Sequence, residues 1–338
     1  MKKTIISTAS TIGVLLIVYF LGPAAPKPLV DATISVETVG IQELEKNVIE
    51  TENQVIGLKP GNEARIVWFN PSQKQKTKFS VVYLHGLSGS QADGDPIHVE
   101  FAKRYGCNLY LSRLYGHGIA SDNALQDLTP ENYLESAKHA VSIGKCLGEK
   151  VILMATSTGG SLALIIASAN PEIAGLILYS PNIDFRDNSS FMLIRPWGLQ
   201  IARIVQRSSS MESDDPKNVQ MYWQSRYRLE ALVSVKALLN ATMNKSTFAR
   251  IKQPIFVGYY YKNDVEQDNR VSVVRILQMF EQVETPVALK RQISFPNAGV
   301  HPIASSIVSK DICTVRLETF AFAEDILGLV PIAVSTKD

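Results

Sequence analysis

The sequence predicts an α/β protein, with a mostly parallel central sheet, helices on both faces and an inserted helical cap. Three observations carry this reading. From Val151 to Pro181 the order is strand, helix, strand with short connections, which is how parallel sheets are built. The segments "VILMA" (151–155) and "GLILYS" (175–180) are almost continuously apolar, as strands covered on both faces should be. Residues 182–250 then break the alternation with two helix-like stretches rich in large apolar side chains, before strands and helices resume.

Composition agrees with a globular chain, long enough for one large α/β domain or two smaller ones. The chain has 338 residues, 46% apolar and 20% charged, with a net charge of +2. Near-neutral charge without a basic stripe gives no reason to expect a nucleic-acid partner. Cys107, Cys146 and Cys313 are widely spaced and fit neither a metal pattern nor a disulfide framework.

The N-terminus has its own character. Lys2 and Lys3 precede a run without charge from Thr4 to Ala25, and Pro26 and Pro28 follow. The run approaches the ~20 residues of a membrane-spanning helix, and the two lysines would also suit the n-region of a cleaved signal peptide. Either reading predicts an exported protein, membrane-anchored or periplasmic, that meets the membrane through residues 1–28. Residues 29–46 then read as a linker, 47–330 as the main domain with its cap at 182–250, and 331–338 as a tail.

Within the main domain, "ARIVWF" (64–69) after the turn-like "LKPGNE" predicts a strand of a hairpin. Phe79 to Leu84 reads as a buried strand ending in His85-Gly86, "HVEFAKRYG" as a helix and "CNLYLSRLYGHG" as a strand and loop. A capping signal, Thr129-Pro130-Glu131, opens the next helix. Beyond the cap come the strand "QPIFVGYYY" (253–261), the helix "VSVVRILQMFEQV", the strand "ALKRQISFP" and a final helix, "DICTVRLETFAFAEDIL".

The chemistry centres on "ATSTGG", between "VILMA" and the helix beyond it. Ser, Thr and Gly are ordinary loop and N-cap residues. A serine at such a turn is also the arrangement of a nucleophile elbow, normally G-x-S-x-G. A nucleophilic Ser157 requires a base, a group to orient it and donors for an oxyanion. Among the five histidines, His139 lies mid-helix and His98 near a helix start, whereas His301 follows the last strand in a Pro/Asn/Gly loop. Ligands of open α/β sheets gather beyond strand ends of that kind. The loop after "IFVGYYY" offers Asp264, Glu266 and Asp268 as the orienting acid. Thr158 would give one oxyanion N–H at a helix start, and the loop "LHGLSGS" would give another.

Taken together, "YLHGLSGS", "YGHGIAS", "ATSTGG", "QDNRVSV" and "AGVHPIAS" resemble the serine α/β-hydrolases, in particular the carboxylesterase and monoacylglycerol-lipase group, over roughly residues 47 to 330. The resemblance implies the α/β-hydrolase fold, with Ser157 as nucleophile, Asp268 as orienting acid, His301 as base, and Leu87 and Thr158 as oxyanion donors. It implies an ester or lipid substrate and no metal or organic cofactor. Ala155 departs from the first elbow glycine, the acid loop is longer than usual, and Pro302 follows the base.

Substrate recognition should come from the cap. Phe191, Met192, Leu193, Ile194, Trp197 and Trp223 suit an apolar acyl pocket, and Arg195, Arg203 and Arg207 could hold an anion. Two other functions remain open. A serine aminopeptidase of the proline-iminopeptidase type would use acidic cap residues such as Glu212, Asp214 and Asp215. A membrane-tethered hydrolase-fold protein that binds without catalysis is the other.

Overall fold

The computed structural model describes residues 13–332 except 15 and 36–38. The first regular element of the body is the helix α1, Ile41–Asn53. The sheet begins with β1 (Arg65–Val67) and β2 (Thr77–Leu84), followed by α2 (Ile97–Tyr105) and β3 (Asn108–Leu111). Next come α3 (Pro130–Leu147), β4 (Gly148–Thr156), α4 (Thr158–Ala169) and β5 (Gly175–Tyr179). The cap carries α5 (Gly198–Gln206), a small ribbon of β6 (Ser210–Glu212) and β7 (Arg226–Arg228), and the single turn α6 (Lys217–Gln220) between them. The helix α7 (Leu229–Thr242) and the turn α8 (Lys245–Phe248) lead back to the sheet. It is completed by β8 (Ile255–Tyr259), α9 (Val273–Gln282), β9 (Lys290–Ser294) and α10 (Ile312–Asp325).

The seven strands lie in the order β1-β3-β2-β4-β5-β8-β9, and every pair except β1 with β3 is parallel. This is the α/β-hydrolase architecture that the sequence predicts. The central strands need cover on both faces, which explains their unbroken apolar character. Val82, Leu84, Leu153 and Leu178 join one buried cluster, while Val81, Tyr83, Ile152 and Ile177 join the other. Thr129 accepts the N–H of Asn132 and closes a capping box, with Pro130 in the first turn of α3.

Three expectations differ from the structure. The strand at 65–67 forms no local hairpin; it pairs antiparallel with β3, Ile66 opposite Tyr110, at the sheet edge. The stretch expected to be linker contains the start of α1, whose Leu44 and Val48 are buried against the body. The expectation of an exported, membrane-anchored protein is overturned. No helix among the described residues is long and apolar enough to cross a membrane. The apolar run leaves its helix at Leu21-Gly22, and Trp197 binds the carbonyls of Val18 and Pro23 through Nε1 and its backbone N–H. Residues 1–12, where the lysines and most of a signal peptide would fall, lie outside the described residues.

Candidate active site

Four loops at the carboxyl ends of β2, β4, β8 and β9 converge on a cavity of about 860 Å³ beneath the cap. This is the edge at which open α/β sheets bind ligands. Ser157 sits where the central strand β4 turns into α4, with φ 56° and ψ −124°. That conformation is strained for a residue with a side chain and is characteristic of a nucleophile elbow. Backbone bonds hold it: the Ser157 N–H donates to Tyr179 O, and Ser157 O accepts from Asn182 N–H, both at 2.9 Å. Gly159 makes the turn feasible, because a Cβ there would lie 2.1 Å from Leu84 O and 2.6 Å from His85 O. Ala155, in contrast, is simply a buried core residue, so its methyl is accommodated.

His301 lines the same cavity in the loop after β9, and its Nδ1 is 2.6 Å from Asp268 Oδ2. Asp268 is fully buried. Its Oδ1 accepts the backbone N–H groups of Arg270 (2.8 Å) and Val271 (3.1 Å). Burial works to raise this carboxyl, but the adjacent His301, its hydrogen bond and the two backbone donors outweigh it and hold Asp268 below the ordinary carboxylate value. Asp264 and Glu266 point elsewhere. Asp264 accepts the Tyr261 hydroxyl at 2.8 Å, and Glu266 pairs with Lys262 at 3.0 Å, all exposed. The extra residues of the long loop pinch off as an excursion closed by the bridge Tyr261 to Gln267, and the Asp268 N–H then returns to Tyr260 O.

The loop after β2 is clamped around Leu87. Gly86 N–H donates to Asp93 Oδ2 at 2.8 Å, and Gly86 O takes the proton of His85 Nδ1 at 2.9 Å. Ser88 N–H donates to His117 Nε2 at 3.1 Å, while Gln224 N–H from the cap donates to Ser88 O at 2.7 Å. Because His85 Nε2 accepts the Leu114 N–H, its proton must be on Nδ1; the same logic places the His117 proton on Nδ1, facing Tyr115 O. Burial keeps both rings neutral, lowering His85 well below its ordinary value and His117 to about 4. Among the described residues, the N–H groups of Leu87 and Thr158 meet no acceptor, and both residues line the cavity.

Sequence reasoning did not find the roles of His117, Asp93 or Gln224, which act through backbone groups brought near only by the fold. Not all of the cap residues named from the sequence reach the cavity. Met192, Leu193 and Trp223 line the cavity, whereas Phe191, Ile194 and Trp197 do not. None of Arg195, Arg203 and Arg207 reaches it; Arg203 is paired with Glu230 at 2.7 Å, and Arg270 is the arginine among the described lining residues.

The sheet order, with a strained seryl turn after its middle strand, is that of an α/β hydrolase. The chain belongs to the alpha/beta hydrolase family, whose sequence model matches residues 81–306. Its fold is similar to that of the metagenome-derived lipolytic enzymes LipS and LipT (TM-score 0.62, 15% identity, 78% of this chain and 98% of that one). A soluble variant of monoglyceride lipase from Saccharomyces cerevisiae is also similar (TM-score 0.57, 13% identity, 91% of this chain and 99% of that one). In sequence, the chain is 24% identical over 120 residues to a probable alcohol acetyltransferase of Saccharomyces cerevisiae, a match spanning 35% of this chain and 34% of that protein.

Proposed function

We propose that the protein is a serine hydrolase of carboxylic esters, acting on short or medium acyl chains or monoacylglycerol-like lipids through Ser157, His301 and Asp268. The observation that carries this reading is the 2.6 Å His301–Asp268 pair in the same cavity as a strained Ser157. Ser157 Oγ attacks the acyl carbonyl while His301 Nε2 takes its proton, and Asp268 fixes the tautomer by accepting from Nδ1. The N–H groups of Leu87 and Thr158 receive the oxyanion, a contribution of ~2.7–4 kcal/mol per donor where it has been measured. Collapse expels the alcohol, which takes the proton from His301, and water then releases the acid from the acyl-enzyme. Met192, Leu193, Ile201, Val205, Trp223 and Leu232 give the acyl chain an apolar wall.

The aminopeptidase reading finds less support. Glu212 and Asp215 do line the cavity, but Glu212 pairs with Arg226, and the Ser213 and Ser225 hydroxyls occupy Asp215. The test is labelling by a fluorophosphonate together with a p-nitrophenyl ester series, aminoacyl amides and an added alcohol acceptor. We expect labelling and ester turnover that Ser157→Ala abolishes. Equal turnover in Ser157→Ala would sink the assignment, and an inert, unlabelled wild type would favour a binding role. Preference for amides would favour the peptidase, and ester formed from the added alcohol would point to acyl transfer as in the yeast relative's description.

A further inference from the structure

Asp93 lies in the polar loop after β2, yet it is 2% exposed and lines the cavity. A carboxylate that deep is costly unless something requires it. Its Oδ2 accepts the Gly86 N–H at 2.8 Å, and the carboxyl faces the Trp223 indole. The carboxyl is wedged into the loop. A Cβ on Gly89 would lie 2.5 Å from Oδ2 and 2.7 Å from Oδ1. A Cβ on Gly86 would lie 3.2 Å from Asp93 Oδ2 and 2.9 Å from Ser157 Cβ, so Asp93 and Ser157 crowd the same glycine.

We propose that Asp93 is a positioning residue of this site: its carboxylate anchors the Gly86 N–H and thereby holds the adjoining Leu87 N–H where the oxyanion forms. The inference rests on the acyl-transfer reading above. The peptide between Gly86 and Leu87 is held at its carbonyl by His85 Nδ1 and Gly89 N–H, and Ser88 is held on the far side of Leu87 by His117 and Gln224. Anchoring the Gly86 N–H fixes the near side as well. The ionised acid is the stronger acceptor, as charge-assisted hydrogen bonds are.

Loss of the Asp93 proton therefore strengthens the anchor. Burial raises the Asp93 carboxyl to about 6, opposed by the Gly86 N–H, the charge of His301 and the Trp223 indole. The other titratable neighbours are Tyr83 on β2 and Tyr133 on α3, both raised by burial and therefore neutral throughout, with Asp95 farther along the same loop.

The test uses the full chain, p-nitrophenyl butyrate and three variants. Asp93→Ala should lower kcat on the order of 10²-fold with KM unchanged, because the lost contact matters only once the oxyanion forms. Gly89→Ala, which displaces the carboxyl without removing it, should reproduce that defect. Asp93→Asn keeps an acceptor for Gly86 N–H and loses the ionisation. The ionised carboxylate is a stronger acceptor than the amide, so above pH 6 wild type should exceed Asp93→Asn several-fold in kcat/KM, and the gap should close as the pH falls through about 6 and Asp93 becomes neutral. A purely structural role would leave the ratio of the two enzymes constant with pH. Wild-type kcat in both Asp93→Ala and Gly89→Ala, or a ratio of wild type to Asp93→Asn that does not change with pH, overturns the inference while the wild type still turns over ester. A wild type that neither turns over ester nor takes the fluorophosphonate overturns the acyl-transfer reading and this inference with it.

Discussion

Asp268 is placed by what precedes it. Strand geometry alone favours Asp264, four residues nearer the end of β8, but the excursion at 262–266 removes that stretch from the chain's direct path. The sequence narrowed the acid to three residues in one loop, and the bridge that closes the excursion is a tertiary feature with no local signature. This separates the two aspartates experimentally. Asp268→Asn turns the donor end of His301 toward an amide and favours the wrong tautomer; in a serine protease the equivalent change lowered turnover ~10⁴-fold. Asp264 makes one exposed contact, with Tyr261. Steady-state ester kinetics should therefore collapse in Asp268→Asn and stay near wild type in Asp264→Asn, with unchanged circular dichroism in both. The opposite pattern would reassign the acid. Asp93 was invisible for a related reason: "SQADGDP" has the composition of a solvated loop, and its cover includes Trp223, more than a hundred residues away, beside Asp93.

At the level of elements, legibility followed the range of the forces involved. Apolar runs and the Thr129 cap are local signals, and the strands and α3 that they mark are present. The partner of β1 is a long-range choice: its three residues meet β3, so a nearby turn could not reveal it. The helix α1 had a signal, Ile41, Leu44 and Val48 at helical spacing, which the preceding proline-rich stretch obscured. The contact between α4 and the end of β2 is the tightest of the site's supports. Gly159→Ala would drive a methyl into two backbone carbonyls that cannot rotate away, so α4 must move and carry the Thr158 N–H with it. Overpacking of this kind costs roughly 1–3 kcal/mol. Chemical denaturation should show a loss of that order, accompanied by a fall in kcat; full stability and full turnover together would show that the helix start has slack.

Across the whole molecule, the cap is joined to the body at the site itself. Lys59 Nζ donates to Gln220 O and Trp223 O, Asn62 Nδ2 donates to Met221 O, and Gln224 holds the loop that carries Leu87. The floor of the cavity comes from the sheet and the roof from residues 182–250, so neither alone encloses a substrate. The parallel order of the sheet has a kinetic consequence. The pairs β2–β4, β4–β5, β5–β8 and β8–β9 are each parallel, so no tight turn can close them, and chain ends separated by an intervening helix or cap must meet first. Helices can form in microseconds, whereas contacts of such long sequence separation are slow. During refolding from denaturant, the helical signal should return before the ability to react with a fluorophosphonate, because Gly86, Ser157, Asp268 and His301 are neighbours only once the last strand is docked. Recovery of both signals at one rate would mean that the sheet assembles in a single step.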